Sequence, residues 1–208
     1  MMPSGRRRRK LRAPNPEVRK RLLGAAHWLI GEHTDAGLHI DEVAERAGVS
    51  VGTFYLYFDG KDDLLTAMVV RLVEELCEAQ RLAMASGDGA LDRLTRGVDA
   101  YMEAAASREN AFLWYKAPRR IRTTAGDLTS WACECQAAVW APILETGMLS
   151  GDLLRQDVEL LSQTLVAMLQ HMVGYWLDHR PRIDRDTTRK FLLNSMRFMV
   201  LGESGDAA

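Results

Sequence analysis

The sequence predicts an all-α protein, because apolar residues recur at spacings of three and four along nearly the whole chain and no segment alternates at period two. The chain has 208 residues, of which 47% are hydrophobic and 26% are charged. This length and composition suit one or two packed domains, and they exclude a mainly disordered, collagen-like or disulfide-stapled protein.

The first predicted helix covers residues 16–32. Pro16 suits the first turn of a helix, where its missing N–H costs no hydrogen bond. A single apolar stripe follows it, made of Leu22, Leu23, Ala26, Leu29 and Ile30. This pattern is typical of a helix that buries one face.

Two short helices, 41–47 and 51–57, follow the first. Gly48 permits the left-handed conformation that ends a helix, and Ser50 supplies a cap for the next one. After the break at Asp59 and Gly60, a long helix is predicted over 61–85.

Further helices are predicted after the break at 86–89. They cover residues 90–106, 109–117, 126–147, 154–179 and 185–201. We therefore divide the chain into three parts, which are a flexible basic arm (1–15), a helix-turn-helix domain (16–60) and a helical domain for effector binding and dimerisation (61–208).

The charge is unevenly distributed. Residues 1–21 hold nine Lys or Arg against one acid, although the whole chain has a net charge of -1. The arm carries the run Arg6, Arg7, Arg8 and Arg9. Such a concentration indicates a local contact with a polyanion, and a solvated tail is the alternative.

No apolar run reaches the ~18 to 20 residues that a membrane span requires, and no signal-peptide pattern follows the arginines. Cys77, Cys133 and Cys135 lack zinc-ligand spacing. We therefore expect a cytoplasmic protein with no membrane partner, no cofactor and no metal.

Residues 41–58 predict a helix-turn-helix. Two short helices that cross closely need a small residue between them (Ala44) and a turn residue that tolerates positive φ (Gly48). Val49 and Phe54 would fill the wedge between the helices. The second helix is short enough to enter a major groove, with its leading end towards the base edges.

These residues resemble a known family. Val43-Ala44, Ala47-Gly48-Val49-Ser50, Gly52-Thr53-Phe54-Tyr55, Tyr57-Phe58, Lys61 and Leu64-Leu65 are similar to the N-terminal signature of the tetracycline-repressor-like (TetR) transcriptional regulators of bacteria. The resemblance covers roughly residues 16–70. It implies a homodimer that binds a near-palindromic double-stranded DNA operator, commonly as a repressor, and a C-terminal domain that binds a small effector.

The resemblance also implies the DNA contacts. The residues expected to contact phosphates or bases are Ser50, Thr53, Tyr55, Tyr57 and Lys61. The positions expected to read the base sequence are Val51, Gly52 and Leu56. Phe54 and Phe58 are expected to pack inside the domain. The start of the helix at Lys61 is also a natural anion site, because its N–H groups are free and its dipole end is positive.

Two departures from the family pattern matter. His39 stands at about the position where the family usually has a Thr or Ser that caps the helix and contacts phosphate. His39 is expected to be one of the DNA-binding residues, but it has no hydroxyl for that cap and contact. Val51 and Leu56 cannot hydrogen-bond to bases, so we expect more reliance on thymine methyl groups, DNA shape and the arginine arm.

The C-terminal half is rich in aromatic residues. We predict an apolar effector pocket with one polar group, lined by Tyr101, Met102, Phe112, Trp114, Trp131, Trp140, Met168, His171 and Tyr175. Each of these residues taken alone is more often ordinary core. The helices over 154–179 and 185–201 are expected to pair with their copies in an intersubunit four-helix bundle.

An enzyme and a helical interaction protein are the alternatives. The five histidines are scattered outside any catalytic motif, and no phosphate-cradling glycine loop occurs. The sequence therefore favours a non-enzymatic regulator that binds a small hydrophobic effector, aromatic or acyl-containing.

Overall fold

The computed structural model describes residues 15–32, 38–107, 110 and 125–202. All regular structure within these residues is helical, which confirms the all-α prediction. The helices are α1 (Pro16–Glu32), α2 (Ile40–Arg46), α3 (Val51–Phe54), α4 (Lys61–Ala85), α5 (Gly89–Ala105), α6 (Ala125–Ser150), α7 (Val158–Asp178) and α8 (Arg185–Leu201). The helix predicted over 109–117 lies almost entirely outside the described residues.

The chain forms two compact units, Met1–Leu64 and Leu65–Ala208, called here the head and the helical unit. The domain limits at residues 15 and 60 stay predictions. No helix in the described parts of either unit is both long enough and apolar enough to cross a membrane.

The start of α1 is capped by its own sequence. The N–H of Glu17 donates to Asn15 Oδ1 at 3.0 Å, so Asn15 satisfies one of the free N–H donors in the first turn of the helix. The predicted apolar stripe faces inward, because Leu22 and Ala26 are fully buried. The head core therefore begins with this helix.

The turn between α2 and α3 has the geometry of a Schellman motif. Gly48 adopts φ 66°, its N–H donates to the Glu45 carbonyl, and the Val49 N–H donates to the Ala44 carbonyl, both at 2.9 Å. Ser50 then caps α3, since its Oγ accepts from the Thr53 N–H at 3.1 Å. Each residue type at this turn is the one that the backbone requires.

The recognition helix is shorter than predicted. α3 ends at Phe54, whereas the sequence predicted a helix to Tyr57. The N–H groups of Leu56 and Tyr57 donate to carbonyls three residues back, at 3.1 and 2.9 Å, so the chain tightens into turns after Phe54.

In the helical unit, α7 and α8 are antiparallel neighbours. The Leu154 N–H donates to the Val200 carbonyl at 2.8 Å, which places the start of α7 beside the end of α8. This bond holds residue 154 in a connecting segment, and α7 begins only at Val158, where Asp157 caps it by accepting from the Leu160 N–H at 2.9 Å. The predicted start at 154 was therefore wrong.

Ion pairs fasten α8 to α5. Arg189 makes a two-pronged contact with Asp99, at 2.5 and 2.8 Å, and Arg185 reaches Glu103 at 2.7 Å. All four side chains are partly exposed, so these pairs fix the orientation of α8 more than they stabilise the unit.

Candidate nucleic-acid interface and effector site

One side of the helix-turn-helix is exposed and the other is buried. Val51 is 42% exposed, Tyr55 53% and Leu56 58%, whereas Phe54 is 0% and Phe58 2% exposed. The surface formed by Ser50, Val51, Gly52, Tyr55 and Leu56 is called here the recognition face. Its apolar side chains are not covered by the part of the chain that the structure describes, which is the arrangement expected of residues that read a groove.

Phe54 and Phe58 support this face from below. The Phe54 ring meets the Tyr55 ring edge-on, with centroids 5.4 Å apart, and lies 5.6 Å from the Phe58 ring. The inward packing of both phenylalanines is confirmed. Tyr55 is thereby held with its ring against Phe54 and much of its surface in solvent.

The start of α2 lacks the usual cap, as the sequence indicated. His39 occupies the capping position and is exposed, but its side chain makes no capping hydrogen bond. Asp41 and Glu42 follow in the first turn. They suit the positive end of the helix but would repel a phosphate there.

Tyr57 connects the recognition segment to α1. Its hydroxyl accepts the N–H of Asn15 at 2.8 Å, and its ring is half-buried. Asn15 is the residue at which the arm joins the head. Arg6, Arg7, Arg8 and Arg9 themselves lie outside the described residues.

Lys61 opens α4 next to Gly60, which has no side chain to cap the helix. The Leu64 N–H already donates to the Gly60 carbonyl, and Asp63 Oδ2 accepts the Asp59 N–H at 3.0 Å. Lys61 is half-buried, as is Thr53 at the rim of the recognition face.

The predicted effector residues differ in how deeply they are buried. Tyr101, Met102 and Trp140 are 0 to 1% exposed inside the helical unit, while Trp131 and Met168 are half-buried. His171 and Tyr175 lie on the outer side of α7, where Tyr175 is 42% exposed and stacks on His179 at 3.9 Å. Phe112 and Trp114 fall outside the described residues.

Two buried polar residues escaped sequence reasoning. Gln80 and Gln136 are both 0% exposed. A glutamine at a stripe position, such as Gln80 between Leu76 and Met84, was the available signal. The three cysteines are free, and no cluster of His, Cys, Asp or Glu among the described residues could hold a metal ion.

Comparison with known proteins supports the resemblance to TetR regulators. The family model for bacterial regulatory proteins of the tetR family matches residues 22–68, which include the helix-turn-helix. The chain is also 29% identical over 190 residues to the HTH-type transcriptional activator FasR of Mycolicibacterium smegmatis, across 89% of this chain and 84% of FasR. The chain therefore carries a DNA-binding region of the TetR type, and it is similar to TetR-family regulators over most of its length.

Solved structures share the fold of this chain. A TetR-family transcriptional regulator from Rhodococcus sp. has a TM-score of 0.72 at 26% identity, over 89% of this chain and 99% of that one. The Bacillus subtilis regulator FadR, solved in complex with stearoyl-CoA, shares the fold with a TM-score of 0.73 at 20% identity, over 88% and 98% of the two chains. The relatives that the chain resembles are transcription regulators, and residues 22–68 match the DNA-binding module of the TetR family.

Proposed function

We propose that this regulator is a homodimeric repressor that reads a near-palindromic operator through its two heads and releases it when a small hydrophobic effector binds the helical unit. The observation that carries the proposal is the recognition face, whose apolar residues are exposed above a buried aromatic support. A face of this kind on a helix-turn-helix fits the floor of a major groove.

The recognition face determines the kind of readout. Val51 and Leu56 offer only apolar contacts, which suit thymine methyl groups, while Ser50, Thr53 and Tyr55 offer hydroxyls to phosphates or bases. Arg6, Arg7, Arg8 and Arg9 would add minor-groove contacts beside the head. We therefore expect an operator rich in A·T pairs, read partly through its shape.

The helical unit supplies a dimer surface. Its two antiparallel helices α7 and α8 expose large apolar side chains, which are Leu160, Tyr175, Phe191 and Phe198. On each helix these residues recur at spacings that keep them on one side. Two copies of this surface would make the four-helix bundle that places paired heads about one DNA turn (~34 Å) apart.

The effector would act through α4, which begins in the head and continues into the helical unit. An effector that prefers one tilt of this helix would change the separation of the two heads. Only one head could then contact its half-site of the operator. A coupling of ~1 to 3 kcal/mol, typical of allosteric proteins, lowers operator affinity by about 5- to 150-fold.

The first experiment is selection of bound sequences from a random duplex library. We expect a near-palindrome with half-sites about one turn apart, bound with a steep dependence on salt. Salt-sensitive binding without an enriched sequence would contradict operator reading. In cells, deleting the gene should raise transcription from the selected operator, whereas a fall would identify an activator.

Replacing Tyr55 by Ala and Lys61 by Met together should reduce operator affinity at least about 10-fold, because two backbone or base contacts are lost. The Lys61 change alone should lower the salt slope by about one unit. Circular dichroism and sedimentation should show a folded dimer.

The matched control is Arg71→Met, which removes an exposed cation on the same helix that pairs with Glu75. It should leave both operator affinity and the salt slope unchanged. Equal losses in the control and in the double variant would mean that general charge, and not this face, binds DNA.

Tyr57→Phe tests whether the start of α1 positions the arm. The change removes the acceptor of the Asn15 N–H, so operator affinity should fall by about 2- to 10-fold, the usual value of one hydrogen bond. Deleting residues 1–14 should weaken binding more, and Tyr57→Phe should then add nothing. Fully additive losses in anisotropy titrations would show that Tyr57 acts independently of the arm.

A further inference from the structure

Three deeply buried polar atoms in the described part of the helical unit have no hydrogen-bond partner. They are Gln80 Oε1 on α4, Gln136 Oε1 on α6 and Trp140 Nε1 on α6. The three side chains are at most 1% exposed. Unpartnered buried polar atoms are uncommon in native proteins, and each one destabilises the fold unless something satisfies it.

The neighbouring bonds fix which groups remain free. Gln80 Nε2 donates to the Gly97 carbonyl at 3.2 Å, and Gln136 Nε2 points to the Ala132 carbonyl at 3.4 Å. A carbonyl cannot donate, so each amide must present its nitrogen there and leave its oxygen free. The interior thus offers two acceptors from the glutamines and one donor from the indole.

Gly97 lies beside both Gln80 and Trp140. A methyl group built on Gly97 would lie 3.2 Å from Trp140 Cζ2 and 2.0 Å from Met84 Cε, and the Gly97 carbonyl already binds Gln80. Gln136 lies one helical turn before Trp140, on the same side of α6. Met84, a flexible and fully buried side chain, fills the space above the glycine.

The surroundings disfavour charge. The buried polar residues in the described ranges are Gln80, Gln136, Ser162 and Thr188, and no Asp, Glu, Lys, Arg or His is buried there. Burial, assisted by nearby Cys135, raises the pKa of Cys77 to about 11, one turn before Gln80. An anion entering this region would meet no buried countercharge from the residues that the structure describes, and it would lose its hydration.

We propose that Gln80, Gln136 and Trp140, called here the amide cluster, bind an uncharged head group of the effector that carries hydrogen-bond donors as well as an acceptor. A primary amide fits best, because its two N–H groups and one carbonyl match two acceptors and one donor; a hydroxyl satisfies part of the set. The apolar body of the ligand displaces Met84. This inference rests on the proposed function, since it specifies the chemistry of the same effector.

The test compares four probes that share one apolar chain, namely octanamide, octanol, N,N-dimethyloctanamide and octanoate. Calorimetry on the full chain at pH 7.5 should rank octanamide first and octanol second. N,N-dimethyloctanamide, which has no donor, should bind at least about 10-fold more weakly than octanamide, because it leaves buried acceptors unpaired. Octanoate should not bind measurably.

Gln80→Met and Gln136→Met should reduce the preference for octanamide over its dimethyl analogue to less than about 3-fold. The matched control is Gln170→Met, because Gln170 Oε1 already accepts from Cys133 Sγ at 3.2 Å and does not belong to the cluster. The control should retain the full preference. An unchanged preference in the cluster variants, or an equal loss in the control, overturns the proposal.

The melting temperature separates a ligand site from a structural one. Without ligand, Gln136→Met should melt at the same temperature or about 2 to 4 °C higher, because an unpaired acceptor has been removed. A clear fall in melting temperature would mean that internal water already hydrogen-bonds to these atoms and stabilises the fold. That result overturns the proposal. Preferred binding of octanoate, or no binding of octanamide, also overturns it.

Operator binding is measured in the same samples. If the wild-type protein binds no operator, the proposed function fails. If it binds the operator but shows no preference among the probes, only the assignment of the amide cluster fails.

Discussion

Replacing Phe54 by Ala should unfold the head and abolish operator binding while the helical unit stays folded. Phe54 is fully buried and packs against both Tyr55 and Phe58, so its removal leaves a large cavity beneath the recognition face. Truncations of this kind lower the free energy of unfolding by ~3 to 5 kcal/mol. A unit as small as the head has little stability beyond that amount.

Leu56→Ala is the matched control. Leu56 stands two residues later in the same segment but is 58% exposed, so its truncation should change stability by less than about 0.5 kcal/mol. Limited proteolysis should then cut the head of Phe54→Ala and spare residues 65–208, whereas Leu56→Ala should resist and bind DNA with altered base preference. A folded, DNA-binding Phe54→Ala protein would contradict the assignment of Phe54 as the central support.

The head could be predicted well because its geometry is set by local chemistry. A glycine at position 48 permits the left-handed turn, Ser50 accepts the N–H of Thr53, and Pro16 follows a capping Asn15. Each requirement is met by a residue within a few positions of its partner. The sequence therefore indicated both the motif and its place in the chain.

The ends of two helices depended on more distant effects. The end of α3 at Phe54 results from three-residue hydrogen bonds that periodicity does not reveal. Likewise, Leu154 is drawn out of α7 by a hydrogen bond to Val200, which is far away in sequence. Apolar spacing alone extended both helices too far.

The effector site was harder to predict for a similar reason. α7 is apolar on more than one side, so spacing could not tell that Leu169 and Val173 face inward while His171 and Tyr175 face outward. The buried glutamines were missed because polarity usually marks a surface position. Only packing against neighbouring helices distinguishes these cases.

The second large effect is expected from substitutions on the exposed sides of α7 and α8. Phe191 is 52% exposed and Phe198 is 57% exposed, two turns apart on the same side of α8, and Leu160 is 68% exposed on α7. Because α7 and α8 are antiparallel, Leu160 lies towards the same end as Phe198. In an isologous interface each substitution acts twice, once from each subunit.

Phe191→Asp with Phe198→Asp should therefore convert the proposed dimer to a monomer at micromolar concentrations. Operator affinity should fall by about 100-fold or more, because the two heads no longer bind as one linked pair. The stability of each monomer should change little, since neither ring is buried within the chain. Sedimentation velocity and anisotropy with a full operator measure the two effects.

Leu82→Asp provides the control for adding a charge to exposed apolar surface. Leu82 is 65% exposed but lies on α4 and not on α7 or α8, so the variant should remain a dimer and bind the operator normally. A half-site duplex adds a second check, because the monomeric variant and the wild type should bind it with similar affinity. If the α8 variant stays dimeric, the dimer forms through another surface. The geometry of that other surface must then explain the spacing of the half-sites.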